Sequence, residues 1–150
     1  MDIALEEARA AALRGEVPVG AVIARDGEII ARGGNKTREL NDPTAHAEML
    51  VIREACSALA SERLTGCDLF VTLEPCAMCA GAISFARIQR LYFAARDEKG
   101  GAVENGPQFF RQPTCHHAPD VYSGIGEQTA SEILSSFFKQ LRAGDQSQGT

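Results

Sequence analysis

Apolar positions along the chain fall in short blocks, some at helical and some at strand spacing, divided by turn residues. In the first block, Asp2 to about Arg14, Ile3, Leu5, Ala8, Ala12 and Leu13 make a small apolar face, and Gly15 follows. That pattern predicts an alanine-rich helix stopped by glycine. Two apolar runs then flank Asp26-Gly27 in VPVGAVIARDGEIIARGGN, which predicts two antiparallel strands joined by a two-residue turn. The polar stretch KTRELNDPT reads as a loop. From His46 to about Leu59, Met49, Ile52, Cys56 and Leu59 recur at helical spacing. A third strand, Cys67 to Leu73, ends at Glu74-Pro75, and a further helix runs from near Cys76 to about Arg87. Leu91 to Ala95 makes a fourth strand and Val121-Tyr122 a short fifth. Ile133, Leu134, Phe137, Phe138 and Leu141 mark a closing amphipathic helix. Between Arg96 and His117, glycine and proline break every period.

Helices standing between strands require crossovers, so part of the sheet is expected to run parallel, with helices on both faces. No repeat, low-complexity block or linker interrupts the chain. Residues 1–150 therefore read as one α/β domain, with about 143–150 (AGDQSQGT) as a flexible tail.

At 150 residues, 45% hydrophobic and 23% charged, the chain can bury a core without staples. A formal charge of −5 excludes a broad basic coat for nucleic acid but leaves room for a local patch. No apolar run approaches the length that spans a bilayer, and Met1 leads into the charged stretch MDIALEEARAAALRG rather than a secretory signal. The expectation is a cytoplasmic protein with no membrane partner. Thiols stay reduced there, so the five cysteines (Cys56, Cys67, Cys76, Cys79 and Cys115) are candidates for metal, chemistry or packing rather than disulfides.

Two stretches carry chemistry: His46-Ala47-Glu48 and Pro75-Cys76-Ala77-Met78-Cys79. Cysteines three apart at a helix start share a face, and the free N–H groups there favour thiolates, so the pair suits a Zn²⁺ ion. The same spacing also suits a redox dithiol. Against that reading, no Trp precedes Cys76, and His46 opens another helix that follows a strand of the same sheet. His46, Cys76 and Cys79 would then hold one Zn²⁺ with a fourth position open to water, as in catalytic rather than structural zinc. Glu48 is the natural base for that water, although a glutamate early in a helix also has an ordinary electrostatic reason to be there. The combination H-x-E with P-C-x-x-C is that of the zinc nucleobase deaminases.

On these residues the chain resembles the cytidine-deaminase-like zinc superfamily, and within it the bacterial tRNA-specific adenosine deaminases. The likeness runs through EVPVGAV (Glu16–Val22), Asn35, DPTAHAE (Asp42–Glu48), TLEPCAMCAGAI (Thr72–Ile83), ARD (Ala95–Asp97) and Phe137-Phe138, nearly the whole chain. It implies a three-layer α/β/α sandwich around a mixed sheet of about five strands, acting as a homodimer with one Zn²⁺ per subunit. The implied reaction is hydrolytic deamination of adenosine to inosine at the anticodon wobble position of an arginine tRNA. Zinc-activated water attacks, and a glutamate shuttles protons. Carried over residue by residue, His46, Cys76 and Cys79 match the zinc ligands and Glu48 the proton shuttle. Asn35 matches the asparagine that hydrogen-bonds the nucleoside, Ala47 the backbone N–H at the base edge, and Val17 and Phe138 apolar positions lining the base pocket. The stretch Glu98–Tyr122, with Cys115-His116-His117, follows the family pattern less closely.

Two other readings compete. One is a zinc deaminase acting on a free nucleobase, above all a guanine deaminase, which shares the DPTAHAE context. The other is a non-catalytic RNA-binding subunit with structural zinc, which Glu48 and the three-ligand count argue against. RNA contact would rest on local charge. From Ser84 to Arg111, Arg87, Arg90, Arg96, Lys99 and Arg111 outnumber Asp97, Glu98 and Glu104, and Lys139 and Arg142 add to the closing helix. Cys56 and Cys67 read as core thiols.

Overall fold

Asp26 and Gly27 both take positive φ, 52° and 77°, and their turn joins β1 (Gly20–Arg25) to β2 (Glu28–Gly34) as an antiparallel hairpin. Asparagine, aspartate and glycine tolerate that backbone, and it matches the twist of the paired strands. The structure is a computed structural model that describes the backbone of residues 1–148 and the side chains of residues 1–145. Around the hairpin lie α1 (Asp2–Leu13), α2 (Ala47–Leu59), β3 (Asp68–Leu73), α3 (Ala77–Phe85), β4 (Arg90–Ala95), β5 (Asp120–Ser123) and α4 (Glu127–Gln148). The five strands form one sheet in the order β2-β1-β3-β4-β5. β1 pairs antiparallel with β2 and β3, whereas β3–β4 and β4–β5 are parallel, the mixed sheet expected from helices standing between strands.

Neighbouring residues on β2 show the two faces. A side chain at Gly34 would meet the backbone of Glu7 on α1, while one at Gly33 would point to Val51 on α2. Helices α1 and α4 cover the first face, and α2 and α3 the second. Strand alternation follows from this. Leu69, Val71, Leu91 and Phe93 are fully buried and join Ile23, Val51, Ile83 and Ile88 in the larger core. Opposite them, Phe70, Tyr92 and Tyr122 stack in a row across three strands, with centroids 4.6 and 5.0 Å apart. Toward the other end of that face, Thr72 Oγ1 accepts the Gly20 N–H.

The helix α4 extends through Gln148, so most of the segment expected as a tail carries helical backbone; residues 149–150 lie outside the described residues. The unreadable stretch after Arg96 holds only a single 3₁₀ turn, Phe109–Arg111, before β5.

Helix α1 lies unusually close to the sheet because its contact residues are small: Ala4, Ala8 and Ala11 are buried against strand glycines. A Cβ at Gly20 would sit 2.6 Å from Ala8 N and collide with Ala4 O, whereas one at Gly33 would meet only Val51 Cγ1 at 3.8 Å. Gly20→Ala is therefore expected to destabilise the protein by about 1–3 kcal/mol, while Gly33→Ala is neutral or slightly stabilising. Urea denaturation of the two variants measures the difference.

Candidate active site

The site forms at the C-terminal ends of β2, β3 and β4 and the start of the antiparallel β1, the end of the sheet where open α/β folds commonly place ligands. His46 and Cys76 are the N-cap residues of α2 and α3, with extended backbones (φ/ψ −70°/152° and −74°/176°), and neither side chain caps its helix. Serine, threonine, aspartate or asparagine usually fills such a position and bonds an orphan N–H. Here the side chains turn toward each other. His46 Nδ1 lies 3.7 Å from Cys76 Sγ and 3.5 Å from Cys79 Sγ, and all three ligand atoms lie within 4.8 Å of one another. A tetrahedral ion with Zn–S of about 2.3 Å and Zn–N of about 2.1 Å would hold nitrogen and sulfur about 3.6 Å apart. Donor chemistry and spacing both fit Zn²⁺, held by these three residues.

The ionisable groups share protons unevenly. The Cys79 thiol donates to Cys76 and, with His46, holds Cys76 down to about 4 against burial. Its hydrogen bond to Cys76, together with burial, pushes Cys79 far up. The Cys76 thiolate raises His46, and burial raises the Glu48 carboxyl. Glu48 stands in the first turn of α2 and is 4% exposed.

These groups open on a cavity of about 310 Å³, at the small end of the roughly 300–1,000 Å³ range of small-molecule sites. His46, Glu48 and Cys76 line it, with Val17, Val19, Asn35 and Thr37 contributed by the segments around β1 and β2. Leu73, Glu74, Asp97 and Gly100 also line it, from the ends of β3 and β4. Hollows of about 520 and 570 Å³ elsewhere contain no such cluster of ligands among the described residues, so size alone does not locate the site.

Of the residues expected from sequence, His46, Glu48, Cys76, Asn35 and Val17 meet at this cavity, and Cys79 joins them through the ligand cluster. Asn35 Oδ1 accepts the N–H of fully buried Ala47 at 2.9 Å, so that donor, expected at the base edge, is spent on orienting Asn35. The Asn35 Nδ2 has no partner among the described residues. Phe138 lies elsewhere, on α4, 41% exposed and edge-on to Phe137 at 5.4 Å, and does not line the cavity. The basic stretch is partly neutralised: Arg96 pairs with Glu104 and Glu127, and Arg90 with Asp68. Cys67 is fully buried and Cys56 packs on the core. Cys115 bonds the His117 carbonyl and contacts Ser84, while His117 Nε2 meets the Ile88 carbonyl at 2.8 Å; the segment is pinned to the end of α3.

Sequence reasoning missed two buried carboxylates, one lining the cavity and one beside the segment that carries Val17. Glu16, 1% exposed, accepts the Arg38 N–H with both oxygens. Glu74, 3% exposed, accepts from the loop after β4. Both lie inside motifs singled out above, and a glutamate buried within an apolar context was the available signal.

Four protein ligands close a structural zinc site, whereas three beside a cavity leave a position for water, and here a buried carboxylate shares that cavity. In an α/β/α sandwich this defines a zinc-dependent hydrolytic deaminase. The chain belongs to the family of the cytidine and deoxycytidylate deaminase zinc-binding region, whose model matches residues 1–95. It is 66% identical to a tRNA-specific adenosine deaminase of Agrobacterium fabrum, across 97% of this chain and 95% of that one. A tRNA-specific adenosine deaminase of Aquifex aeolicus is 49% identical across 95% and 93% of the two chains. A solved structure from a study of A-to-I editing by tRNA:A34 deaminases at the wobble position has a TM-score of 0.88 and 69% identity, covering 89% of this chain and 97% of that one. A guanine deaminase structure from Bacillus subtilis has a TM-score of 0.60 at 45% identity, over 62% of this chain and 60% of that one.

After zinc is removed with a chelator, Cys76 is expected to react with iodoacetamide down to about pH 5, because its thiolate persists to about 4. Burial raises the Cys56 and Cys67 thiols, so these should react more slowly than Cys76 at neutral pH. Restoring zinc should protect Cys76 and release the Cys79 proton. Peptide mass spectrometry with and without zinc checks the pattern.

Proposed function

We propose that the protein hydrolyses adenosine to inosine at the wobble position of the anticodon of an arginine tRNA, working in the cytoplasm as a homodimer. One observation carries this reading. The likeness to tRNA-specific adenosine deaminases holds at 66% identity over 97% of the chain and, in a solved structure, at a TM-score of 0.88, whereas guanine deaminase structures reach 45% identity over only 62% of the chain or 25% over 89%. An anticodon loop presents its bases in a single-stranded setting, which lowers the cost of extruding one into a small cavity.

Zn²⁺ held by His46, Cys76 and Cys79 supplies the Lewis acidity that makes water a nucleophile at neutral pH. Glu48 takes a proton from the attacking water and delivers it to N1 of adenine. A second proton passes through the same carboxyl to the exocyclic nitrogen. The C6–O bond forms, the C6–N bond breaks, and ammonia leaves. Burial suits Glu48 to this exchange, because desolvation raises the carboxyl and so favours the protonated form that the exchange passes through. Asn35, fixed by the Ala47 N–H, offers its Nδ2 to the nucleoside, and Val17 and Val19 shield the reacting face from bulk water. Phe138, exposed on α4, is available to the RNA outside the cavity.

Glu48→Gln should keep one zinc per chain and lose inosine formation by roughly 10²–10⁴-fold. Mass analysis of nucleosides from an arginine tRNA, with free guanine incubated in parallel, checks this. Comparable turnover of guanine with the RNA unchanged would replace the tRNA reading with a free-nucleobase deaminase.

Dimerisation is assigned to the face that α2 and α3 share. Phe85, 76% exposed at the end of α3, lines a hollow of about 490 Å³ with Ile52, Cys56, Ala82 and Ala86, rimmed by the charged Glu62, Arg63 and Arg87. A two-fold axis would let each Phe85 enter the hollow of the second copy, the self-complementary arrangement of a symmetric dimer. Phe85→Glu should therefore yield a monomer in light scattering, and an unchanged mass would remove this face as the interface.

A further inference from the structure

The long segment after β4 has little regular structure, yet it supplies Asp97 and Gly100 to the catalytic cavity. What holds it is the side chain of Glu74, the last residue of β3's extension before Pro75. Its Oε1 accepts the Asp97 N–H at 3.1 Å and the Asn105 Nδ2 at 2.7 Å. Its Oε2 accepts three successive backbone N–H groups, from Val103, Glu104 and Asn105, at 3.1, 3.0 and 3.0 Å. Three consecutive N–H groups converging on one oxygen form an anion-binding nest, and the anion here is a side chain of the protein itself. The fit leaves no space. A Cβ at Gly101 would sit 2.5 Å from the Glu74 carboxyl and from the Asp97 carbonyl, so only glycine lets the loop close on the carboxylate. The Ala102 N–H bonds the Pro75 carbonyl at 2.9 Å, so the loop also rides on the backbone that leads into Cys76.

We propose that Glu74 is a positioning residue for deamination: its carboxylate gathers residues 97–105 into a rigid wall and thereby sets where Asp97 and Gly100 meet the bound nucleotide. It performs no chemistry. Its five donors account for both of its oxygens, and its side chain is 3% exposed, so none of its acceptor capacity is left for substrate. The wall's role in RNA binding rests on the tRNA reading above, whereas the hold of Glu74 on the loop does not.

Glu74→Gln keeps the size of the side chain but turns one acceptor oxygen into a donor facing N–H groups. In the zinc-loaded variant, hydrogen exchange at 97 and 103–105 should accelerate at least tenfold while exchange in β3 and β4 stays slow. The KM for an anticodon stem-loop should rise about tenfold with kcat within about threefold, and Glu74→Asp should recover part of the loss. A residue that merely stabilises the fold would behave differently, lowering kcat with the zinc-loaded fraction at constant KM. That result, or unchanged exchange, overturns the proposal. Should Glu74→Gln fail to fold, Asn105→Ala removes only the 2.7 Å bond and must shift exchange and KM in the same direction; no shift overturns the proposal equally. If the wild-type protein leaves RNA unchanged, the tRNA reading falls by itself, and hydrogen exchange still decides whether Glu74 holds the wall.

Discussion

Everything at the site depends on bringing an imidazole and two thiols, from segments 30 residues apart, to within bonding distance of one ion. The fold does this with helix starts rather than with loops. His46 and Cys76 both stand at N-caps, and both give up capping to face the metal position. Each forfeited cap costs about 1 kcal/mol, far below the roughly 10–16 kcal/mol that zinc binding contributes in small structural sites. On α3 the same choice lets the Cys79 N–H bond the Cys76 sulfur, which favours the thiolate. Strand β1 makes the convergence possible. It pairs with β2 on one side and β3 on the other, so the segments leading into α2 and α3 start from neighbouring parts of one sheet.

The walls around the ion are built by a second device. A surface loop ordinarily satisfies its N–H groups with water and remains mobile. Around this cavity, buried carboxylates take them instead: Glu16 holds Arg38, and Glu74 holds the segment from Asp97 to Asn105. Desolvation opposes charge at Glu74, yet the N–H groups of Asp97, Asn105 and Val103 outweigh it and keep the carboxyl below its usual range. Such a site costs little to reorganise when substrate arrives, because its donors are already spent and its backbone already fixed.

Elements with a period or a punctuation mark were legible in the sequence. Asp26-Gly27 announced a hairpin because only a few residues accept two successive positive φ values, and α2 and α3 announced themselves by apolar spacing and by Pro75. His46, Glu48, Cys76 and Cys79 were legible because metal chemistry restricts residue type and spacing together. The segment from Arg96 to His117 was not legible, since its order comes from one distant carboxylate and from Ser84 and Ile88, which leave no period along the chain. The direction of the Ala47 N–H was equally hidden. A sequence shows that a backbone donor exists at a helix start, but not that Asn35, from another strand end, has already taken it.

The net charge of −5 acquires a sharper meaning from the structure. Arg96 stands next to the cavity residue Asp97, where a cation would serve RNA, yet Glu104 and Glu127 hold it at 2.8 and 3.1 Å. Exposed pairs of this kind add little to stability, but they remove positive potential from the rim. Charge available for phosphate in the stretch from Ser84 to Arg111 then falls to Arg87, Lys99 and Arg111, with Lys139 and Arg142 on α4. Recognition must come instead from contacts made after arrival: a base enclosed in a small cavity, an asparagine already oriented, and a wall already set. An enzyme of this build draws its selectivity from an extrudable base in a single-stranded loop rather than from a broad basic coat, because the geometry that is already fixed is that of the cavity.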